Sequence, residues 1–275
     1  MSQNPLEQYF RQPKIYISLP SLGIYSPPGT YAGSVENMPV YSMTGMDEII
    51  IKTPDALMSG ECNIHVIESC CPTIKQARNI CALDINVIFA AIRIATYGNN
   101  MTVTHTCTKC SNVNDYNVDL TTVIDFYTNK KYDNRVVVND LVIKTQPTLF
   151  YQNMEFNIEN YKLQQQLLQT EKIEDPTEKQ NIINNLWKEF ALGQYKFYKA
   201  SVESIETPTT TVTERGHIEE WLSNCDIVVI DKIKTHLEQV KSQWDMPLFP
   251  VKCENCGYET KIKIDLDYSN FFSQA

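Results

Sequence analysis

Two cysteine pairs with the same internal spacing are the residues of this chain best suited to chemistry. Cys107 and Cys110 form the first pair, and Cys253 and Cys256 form the second. Two thiolates separated by two residues can hold one metal ion from a tight turn, and four thiolates complete the closed tetrahedral shell typical of structural zinc. We therefore predict that these four cysteines hold one Zn²⁺. A catalytic zinc needs an open coordination position, which four thiolates do not leave, so the predicted role is structural.

The segments around the two pairs match in more than their cysteines. A strand-like run follows each pair and ends in Asp-Leu, at Asp119 in the first segment and at Asp265 in the second. Gly257 directly follows the second pair, where a backbone that turns beneath a metal favours glycine, and Ser111 holds the equivalent place in the first. The long insertion between the pairs does not argue against one shared site, because closure entropy grows only slowly with loop length.

The remaining histidine and cysteine residues leave alternatives open. The paired cysteines are also compatible with two unrelated sets of buried thiols, with redox-active dithiols, or with a mixed site in which His105 replaces one cysteine. The total of nine cysteines is odd, and the first residues are too polar for a secretion signal, so we expect a reducing compartment. We predict that the five other cysteines are buried thiols: Cys62, Cys70, Cys71, Cys81 and Cys225.

Charge and composition limit the classes of function. The formal net charge is −9 at pH 7, whereas a surface that binds nucleic acid needs excess lysine and arginine to displace counterions from phosphates. No apolar run reaches the length of about 18 residues that a membrane-spanning helix requires. The sequence also lacks a glycine-rich phosphate loop, a GxSxG elbow and an HExxH motif. We therefore predict a protein that is not an enzyme and that binds neither nucleic acid nor a membrane.

The pattern of elements predicts an α+β fold. It consists of a mainly helical body with short strands and a split four-cysteine module similar to a zinc ribbon. Four segments follow one another: an extended N-terminal arm rich in proline and glycine at 1–37, an α+β domain with the first cysteine pair at 38–148, a helical region at 149–247, and the second pair at 248–275, which returns to the first. Such an arm either wraps its own domain or reaches a neighbouring molecule, and we favour the second, because its apolar residues show little periodicity.

Local signals place the elements of the first half. Thr44 and Asp47 predict a capping box at the start of one helix, and Pro54 marks the end of that helix or the start of the next. Asp84 is predicted to cap a helix that is apolar on every face, as is typical of a helix buried in a core. Gly98 then ends this helix as a left-handed stop.

In the second half, Asn139 and Asp140 lie between two runs rich in β-branched residues and predict a hairpin turn. Residues 203–214 predict a loop. A last helix is predicted to begin at Asp226, and it carries one apolar stripe at helical spacing: Ile230, Ile233, Leu237, Val240 and Trp244.

Four stretches taken together resemble the T-even-type phage baseplate hub proteins. They are residues 19–25, 40–60 with Met-Thr-Gly-Met-Asp-Glu at the centre, 66–72, and 91–98. The likeness covers residues 13–120, and the cysteine pairs add to it. It implies a hub subunit or hub assembly factor of a contractile tail, located in the tail baseplate of the virion and assembled in the cytoplasm of a bacterial host. Its implied partners are other baseplate and tail proteins and other copies of itself, and no catalytic residues carry over.

The residues and the resemblance together predict a zinc-stapled structural or assembly component of a phage baseplate that acts through protein–protein contacts. The alternative is an accessory protein that binds nucleic acid through a zinc ribbon. The acidic charge of the chain argues against this alternative, and salt-sensitive binding to DNA or RNA would support it.

Overall fold

The computed structural model describes residues 4–53 and 60–264. The helix boundary predicted at Pro54 and the position of Asp265 lie outside the described residues. The chain divides into two compact units: unit 1 comprises Met1–Lys131 with Trp244–Ala275, and unit 2 comprises Tyr132–Gln243. Both units contain helices and strands, which confirms the α+β class.

The first part of unit 1 contains four strands and four helices among the described residues. The strands are β1 (Pro13–Ile17), β2 (Met38–Tyr41), β3 (Asn100–Thr106) and β4 (Val113–Asp119). The helices are α1 (Gly45–Ile51), α2 (Glu61–Cys70), α3 (Ile85–Tyr97) and α4 (Thr121–Thr128). Short 3-10 helices occupy Glu7–Tyr9, Ala77–Asn79 and Ala82–Asp84. β1 pairs with β2, and β3 pairs with β4, both antiparallel.

Helix α3 forms the core of unit 1. Ten of its 13 residues are buried, as its apolar sequence predicts, and it contacts β1, β2, α2 and α4. Each fully buried large apolar side chain, such as Phe89 or Ile92, stabilises the fold by about 1.5–3 kcal/mol. Gly98 ends the helix with a φ of 90° and a ψ of 177°. This extended conformation is essentially restricted to glycine and differs from the left-handed helical one that the sequence predicts.

Over residues 13–37 the N-terminal arm packs on its own unit, which is the alternative that we did not favour from the sequence. Its contact with a neighbouring molecule stays a prediction. Leu19 is fully buried and donates its N–H to the carbonyl of Val35 at 2.9 Å. Ala32 donates its N–H to the carbonyl of Thr73 at 2.7 Å. Main-chain hydrogen bonds of this kind hold the arm without a periodic apolar pattern, which is why the sequence did not indicate them.

A buried carboxylate, Asp47, also holds the arm. It forms the predicted capping box with Thr44, accepts a hydrogen bond from Ser69 Oγ at 3.0 Å, and lies 3.1 Å from His65 Nε2. Arg11 Nη1 lies 3.6 Å from the same carboxylate. Burial alone would raise the pKa of Asp47, but the hydrogen bonds from Thr44 and Ser69 and the charge of Arg11 hold the pKa below its usual value.

Asp84 precedes α3, but its side chain does not cap the helix, so the predicted capping role is wrong. Its carboxylate accepts hydrogen bonds from the N–H of Ser21 at 2.8 Å and from Ser21 Oγ at 2.5 Å. Ser21 presents two buried donors, and leaving a buried donor unpaired costs about 1–3 kcal/mol, which explains this preference. Asp84 is fully buried. Burial raises its pKa to about 6, and the bonds from Ser21 partly offset this effect.

Unit 2 combines one antiparallel sheet with four helices. The sheet has the order β5 (Arg135–Val138), β6 (Leu141–Thr145), β7 (Val202–Glu206) and β8 (Thr211–Val212). The helices are α5 (Phe150–Thr170), α6 (Pro176–Ser201), α7 (Arg215–Asn224) and α8 (Ile227–Gln243). The sheet, α7 and α8 enclose a core: Val136, Val138, Ile143, Val202, Ile205, Ile218, Leu222 and Ile233.

Two predictions for unit 2 are confirmed. Asn139 lies at the turn of the β5–β6 hairpin with a φ of 53°. The apolar stripe of α8 faces the core through Ile233, which is buried, and through Ile230 and Leu237, which pack beside it. Trp244, the last predicted member of the stripe, lies beyond the end of α8 and belongs to unit 1.

The predicted loop at 203–214 is wrong, because β7 and β8 occupy much of it and extend the sheet beyond β6. The region 149–247 is therefore not helical throughout. In β7 the adjacent residues Ser204 and Ile205 are both buried. This breaks the alternation of apolar and polar residues by which a strand is recognised in a sequence.

The chain returns to unit 1 after α8 and forms an antiparallel hairpin of β9 (Leu248–Lys252) and β10 (Glu259–Lys263). At the point of return, the ring of Tyr127 stacks on the ring of Trp244 with centroids 6.0 Å apart. Tyr127 Oη also donates a hydrogen bond to the carbonyl of Trp244 at 3.1 Å. Within the described ranges, no helix has the length and apolar character needed to cross a membrane.

The raised pKa of Asp84 predicts a pH-dependent stability that Asp84→Asn removes. Below about pH 4 the carboxyl is protonated in both the folded and the unfolded protein, whereas above about pH 6 the folded protein must bury a charge. We expect the free energy of unfolding of the native protein, relative to Asp84→Asn, to fall by about 3 kcal/mol from well below pH 4 to well above pH 6. Urea unfolding at several pH values measures this difference.

Both proteins in this comparison carry the same cysteines, so the pH dependence of the thiols cancels. If the difference in the free energy of unfolding between the native protein and Asp84→Asn stays constant from acid to neutral pH, burial does not raise the pKa of Asp84.

Candidate metal centre

Two β-hairpins of unit 1 carry the two cysteine pairs. β3 and β4 stay paired up to the loop at 107–112, and β9 and β10 stay paired up to the loop at 253–258. The two loops have the same length, and a cysteine pair occupies the first and fourth positions of each. The hairpins therefore present their cysteines in the same way, although unit 2 separates them in the chain.

The two loops also share their main-chain hydrogen bonds. The first residue donates its N–H to the carbonyl of the last, from Cys107 to Asn112 at 2.8 Å and from Cys253 to Tyr258 at 2.9 Å. The fifth residue donates its N–H back to the carbonyl of the first, at 2.9 Å in both loops. These bonds fix each loop as a tight turn around its cysteine pair.

The fifth position of each loop has a positive φ. It is Ser111 in the first loop, with a φ of 58°, and Gly257 in the second, with a φ of 68°. Glycine adopts this conformation without strain, whereas serine adopts it at a modest cost. The equivalence of Ser111 and Gly257 that the sequence predicts is therefore confirmed.

The structure brings the four predicted cysteines together. Cys107 Sγ lies 3.7 Å from Cys256 Sγ, Cys110 Sγ lies 3.6 Å from Cys253 Sγ, and all four sulfurs lie within 4.8 Å of one another. A tetrahedral zinc with Zn–S bonds of about 2.3 Å sets its sulfurs about 3.8 Å apart. The sulfur spacing thus fits one ion held by two ligands from each hairpin.

The arrangement also answers two of the alternatives. The pairs are not unrelated, because each cysteine of one loop approaches a cysteine of the other. His105 lies in β3, and the ligand cluster found among the described residues contains the four cysteines without it. All nine cysteines of the chain are free thiols.

Asn114 in β4 connects the two loops, and the sequence analysis did not identify it. Its side chain is buried, donates from Nδ2 to Cys253 Sγ at 3.6 Å, and accepts the N–H of Glu254 on Oδ1 at 3.1 Å. A second amide, Asn255 Nδ2, donates to Cys110 Sγ at 3.7 Å from an exposed position. Hydrogen bonds of this type orient metal ligands and stabilise thiolates.

The electrostatics of the cluster favour thiolates at some positions and oppose four thiolates at once. The main-chain N–H of Cys256 is the chief cause that lowers the pKa of Cys253 to about 6. The main-chain N–H of Asn112 likewise lowers the pKa of Cys110. At Cys256 the N–H of Tyr258 acts in the same direction, but burial and the neighbouring cysteines outweigh it and raise the pKa to about 12. Four adjacent negative charges need a cation to offset them.

The remaining cysteines have a different environment. Cys62, Cys70, Cys71 and Cys81 are buried, as predicted, whereas Cys225 is only half-buried, which corrects the prediction for that residue. Burial raises the pKa of Cys70 to about 12 and raises the pKa values of Cys71 and Cys81 well above the ordinary value. Thiols with raised pKa values are poor nucleophiles and poor metal ligands.

The chain was compared with models of known protein families. A family model described as T4 bacteriophage base plate protein matches residues 46–273. The match includes both cysteine pairs and all of unit 2, and it extends well beyond the residues 13–120 that carry the resemblance seen in the sequence. No curated protein and no solved structure matches the chain.

The proximity of the sulfurs predicts a specific cross-link that does not depend on any metal. In the double variant Cys110→Ser/Cys253→Ser, only Cys107 and Cys256 of the four cysteines remain, and their sulfurs lie 3.7 Å apart. We expect mild oxidation to join them in a disulfide, because the movement needed to reach the S–S bond length of about 2.05 Å is small. Protease digestion and mass spectrometry identify the linked peptides. Recovery of both peptides unlinked would contradict the meeting of the two loops.

Proposed function

Because the chain belongs to the T4 bacteriophage base plate protein family, we propose that it is a structural or assembly component of the hub region of a contractile phage tail baseplate. Family membership supports a place in the baseplate and contacts with other tail proteins. The proposed position in the hub rests on the four stretches that resemble hub proteins. The proposed setting is the tail baseplate of the virion, assembled in the cytoplasm of a bacterial host.

The observation that carries the mechanism is the cluster of four sulfurs. We propose that Cys107, Cys110, Cys253 and Cys256 hold one structural Zn²⁺. The sulfur spacing, the matching loop turns and the hydrogen bond from Asn114 support this proposal. In isolated zinc-finger peptides, such a site contributes an apparent binding free energy of about 10–16 kcal/mol, which is coupled to folding.

The metal would act as a staple within unit 1. Unit 1 is built from two separate parts of the chain, and the β9–β10 hairpin belongs to the second part. A two-stranded hairpin is only marginally stable alone in water. The ion would hold this hairpin on the β3–β4 hairpin and so join the two parts of the chain that form unit 1.

The same ligand set makes the proposed role structural and not catalytic. Four thiolates leave no coordination position for a water molecule or a substrate. The function would therefore be exerted through contacts with other baseplate and tail proteins. The nucleic-acid-binding alternative gains no support from the net charge of −9.

The zinc proposal predicts the metal content of the protein. Protein purified without added zinc should contain about one zinc per chain, and Cys110→Ser or Cys256→Ser should release it and lower the thermal stability, because metal binding and folding are coupled. Elemental mass spectrometry and thermal unfolding measure both effects. Cys225→Ser is the matched control, since Cys225 lies outside the cluster, and it should keep its zinc. A zinc content near zero in the native protein would refute the site.

The baseplate proposal predicts the behaviour of phage that lack this chain. Infected cells should then produce no complete baseplates, and the native chain supplied from a plasmid should restore them, whereas Cys110→Ser should fail to restore them. Supplied Cys225→Ser should restore assembly as well as the native chain does. Electron microscopy of the lysates gives the result. Normal baseplates in the absence of the chain would overturn the proposal, even if the purified protein contains zinc.

A further inference from the structure

Helix α5 has two apolar stripes on roughly opposite sides. The first stripe runs through Phe156, Leu163 and Leu167, and it contacts α6 at Phe156, whose ring lies 5.2 Å from the ring of Phe197 on that helix. These positions recur at steps of three and four through Asn160, which is the spacing of helices that pack side by side. This ring contact between α5 and α6 therefore lies on the first stripe.

The second stripe of α5 recurs at steps of three and four as well. Because a helix turns once in 3.6 residues, the second stripe lies about 160° around the helix from the first. Its exposure is greatest toward the C-terminal half, where Tyr161 is 50% exposed and Leu168 is 57% exposed. Its positions are Tyr151, Met154, Ile158, Tyr161, Gln165 and Leu168.

Charge beside this second stripe indicates what covers it. Helix α5 has 21 residues, and its only charged side chains are Glu155, Glu159 and Lys162. Glu155 and Lys162 lie seven residues apart and about 70–90° around the helix from the centre of the stripe, so both flank it on the same side, whereas Glu159 lies about 130° away. Glu155 and Lys162 are both exposed. Neither forms a salt bridge with another side chain in the part of the chain that the structure describes.

We infer that a second copy of this chain packs its own α5 antiparallel against the second stripe. In an antiparallel pair the flanking residues on the same side of the two helices meet, so the charges select the register. When Ile158 packs against the partner's Tyr161, Glu155 meets the partner's Lys162, and Lys162 meets the partner's Glu155. The dimer then contains two Glu155–Lys162 ion pairs between the copies, which are related by a two-fold axis.

Shifting the pair by one heptad in either direction loses this complementarity. One shift brings Lys162 against the partner's Lys162, and the other brings Glu155 against the partner's Glu155. The favoured register also places the midpoints of the two helices opposite each other, so that the full length of α5, about 31 Å, is paired. This interface lies in unit 2 and does not depend on the metal or on the proposed function.

Charge exchange in the full-length protein tests the inference. Sedimentation equilibrium of the native protein at micromolar concentration should show a dimer. Glu155→Lys alone and Lys162→Glu alone should each weaken the dimer about tenfold, because each replaces two attractive pairs by two repulsive ones. The double variant Glu155→Lys/Lys162→Glu should restore the native dissociation constant to within about twofold, because the same pairs form with the charges exchanged.

Two further variants separate this interface from other effects. Glu159→Lys makes the same change of charge on the same helix away from the stripe, and it should leave the dimer unchanged. Tyr161→Ala should weaken the dimer while circular dichroism shows the native helix content, since alanine is a good helix former. A protein that is monomeric at every concentration, a dimer insensitive to both single charge reversals, or a double variant weaker than either single variant would overturn the inference.

Discussion

The meeting of four cysteine sulfurs from two hairpins is the constraint on which unit 1 depends. The chain leaves this unit after Lys131 and returns at Trp244, so its two parts must find each other across the whole of unit 2. The entropic cost of closing so long a loop increases only logarithmically with its length, but the closing contact must still supply a large free energy. Tyr127 stacking on Trp244 provides one contact at the point of return. The sulfur cluster provides the second, and a bound cation would give it the strength of a cross-link.

Elsewhere in unit 1, polar contacts to buried carboxylates hold the N-terminal arm in place. Arg11 and Ser21 tie the N-terminal arm to the buried carboxylates Asp47 and Asp84, which lie on or next to helices of the core. Such anchors determine where an irregular segment lies without requiring a periodic apolar pattern. Unit 2 differs in this respect, because its sheet and its last two helices enclose an apolar core while α5 keeps an apolar stripe exposed. The closed unit 1 and the exposed stripe of unit 2 together fit a subunit that acts by making contacts in an assembly.

The cysteine cluster could be predicted from the sequence, whereas the polar residues that hydrogen-bond to it or hold the rest of unit 1 could not. The spacing of the cysteines and the glycine at position 257 can be recognised within a few residues of sequence. The four sulfurs and both loop turns could therefore be predicted. Asn114 could not, because a single polar residue in a short strand has no characteristic spacing. Asp84 lies where a helix cap is expected, yet two buried donors of Ser21 take its carboxylate, and only tertiary structure shows this. The prediction of a loop at 203–214 was wrong for a related reason. β7 buries the adjacent residues Ser204 and Ile205, so its sequence lacks the alternation of apolar and polar residues that identifies a strand.

In the proposed zinc site, one ion on four sulfurs joins the two hairpins. X-ray absorption spectroscopy at the zinc edge of the purified full-length protein tests it most directly, since it reports the number, type and distance of the atoms bound to the metal. The proposed site should give a single shell of four sulfurs at about 2.3 Å. A shell made largely of nitrogen or oxygen atoms, or one with two sulfurs or fewer, would contradict it.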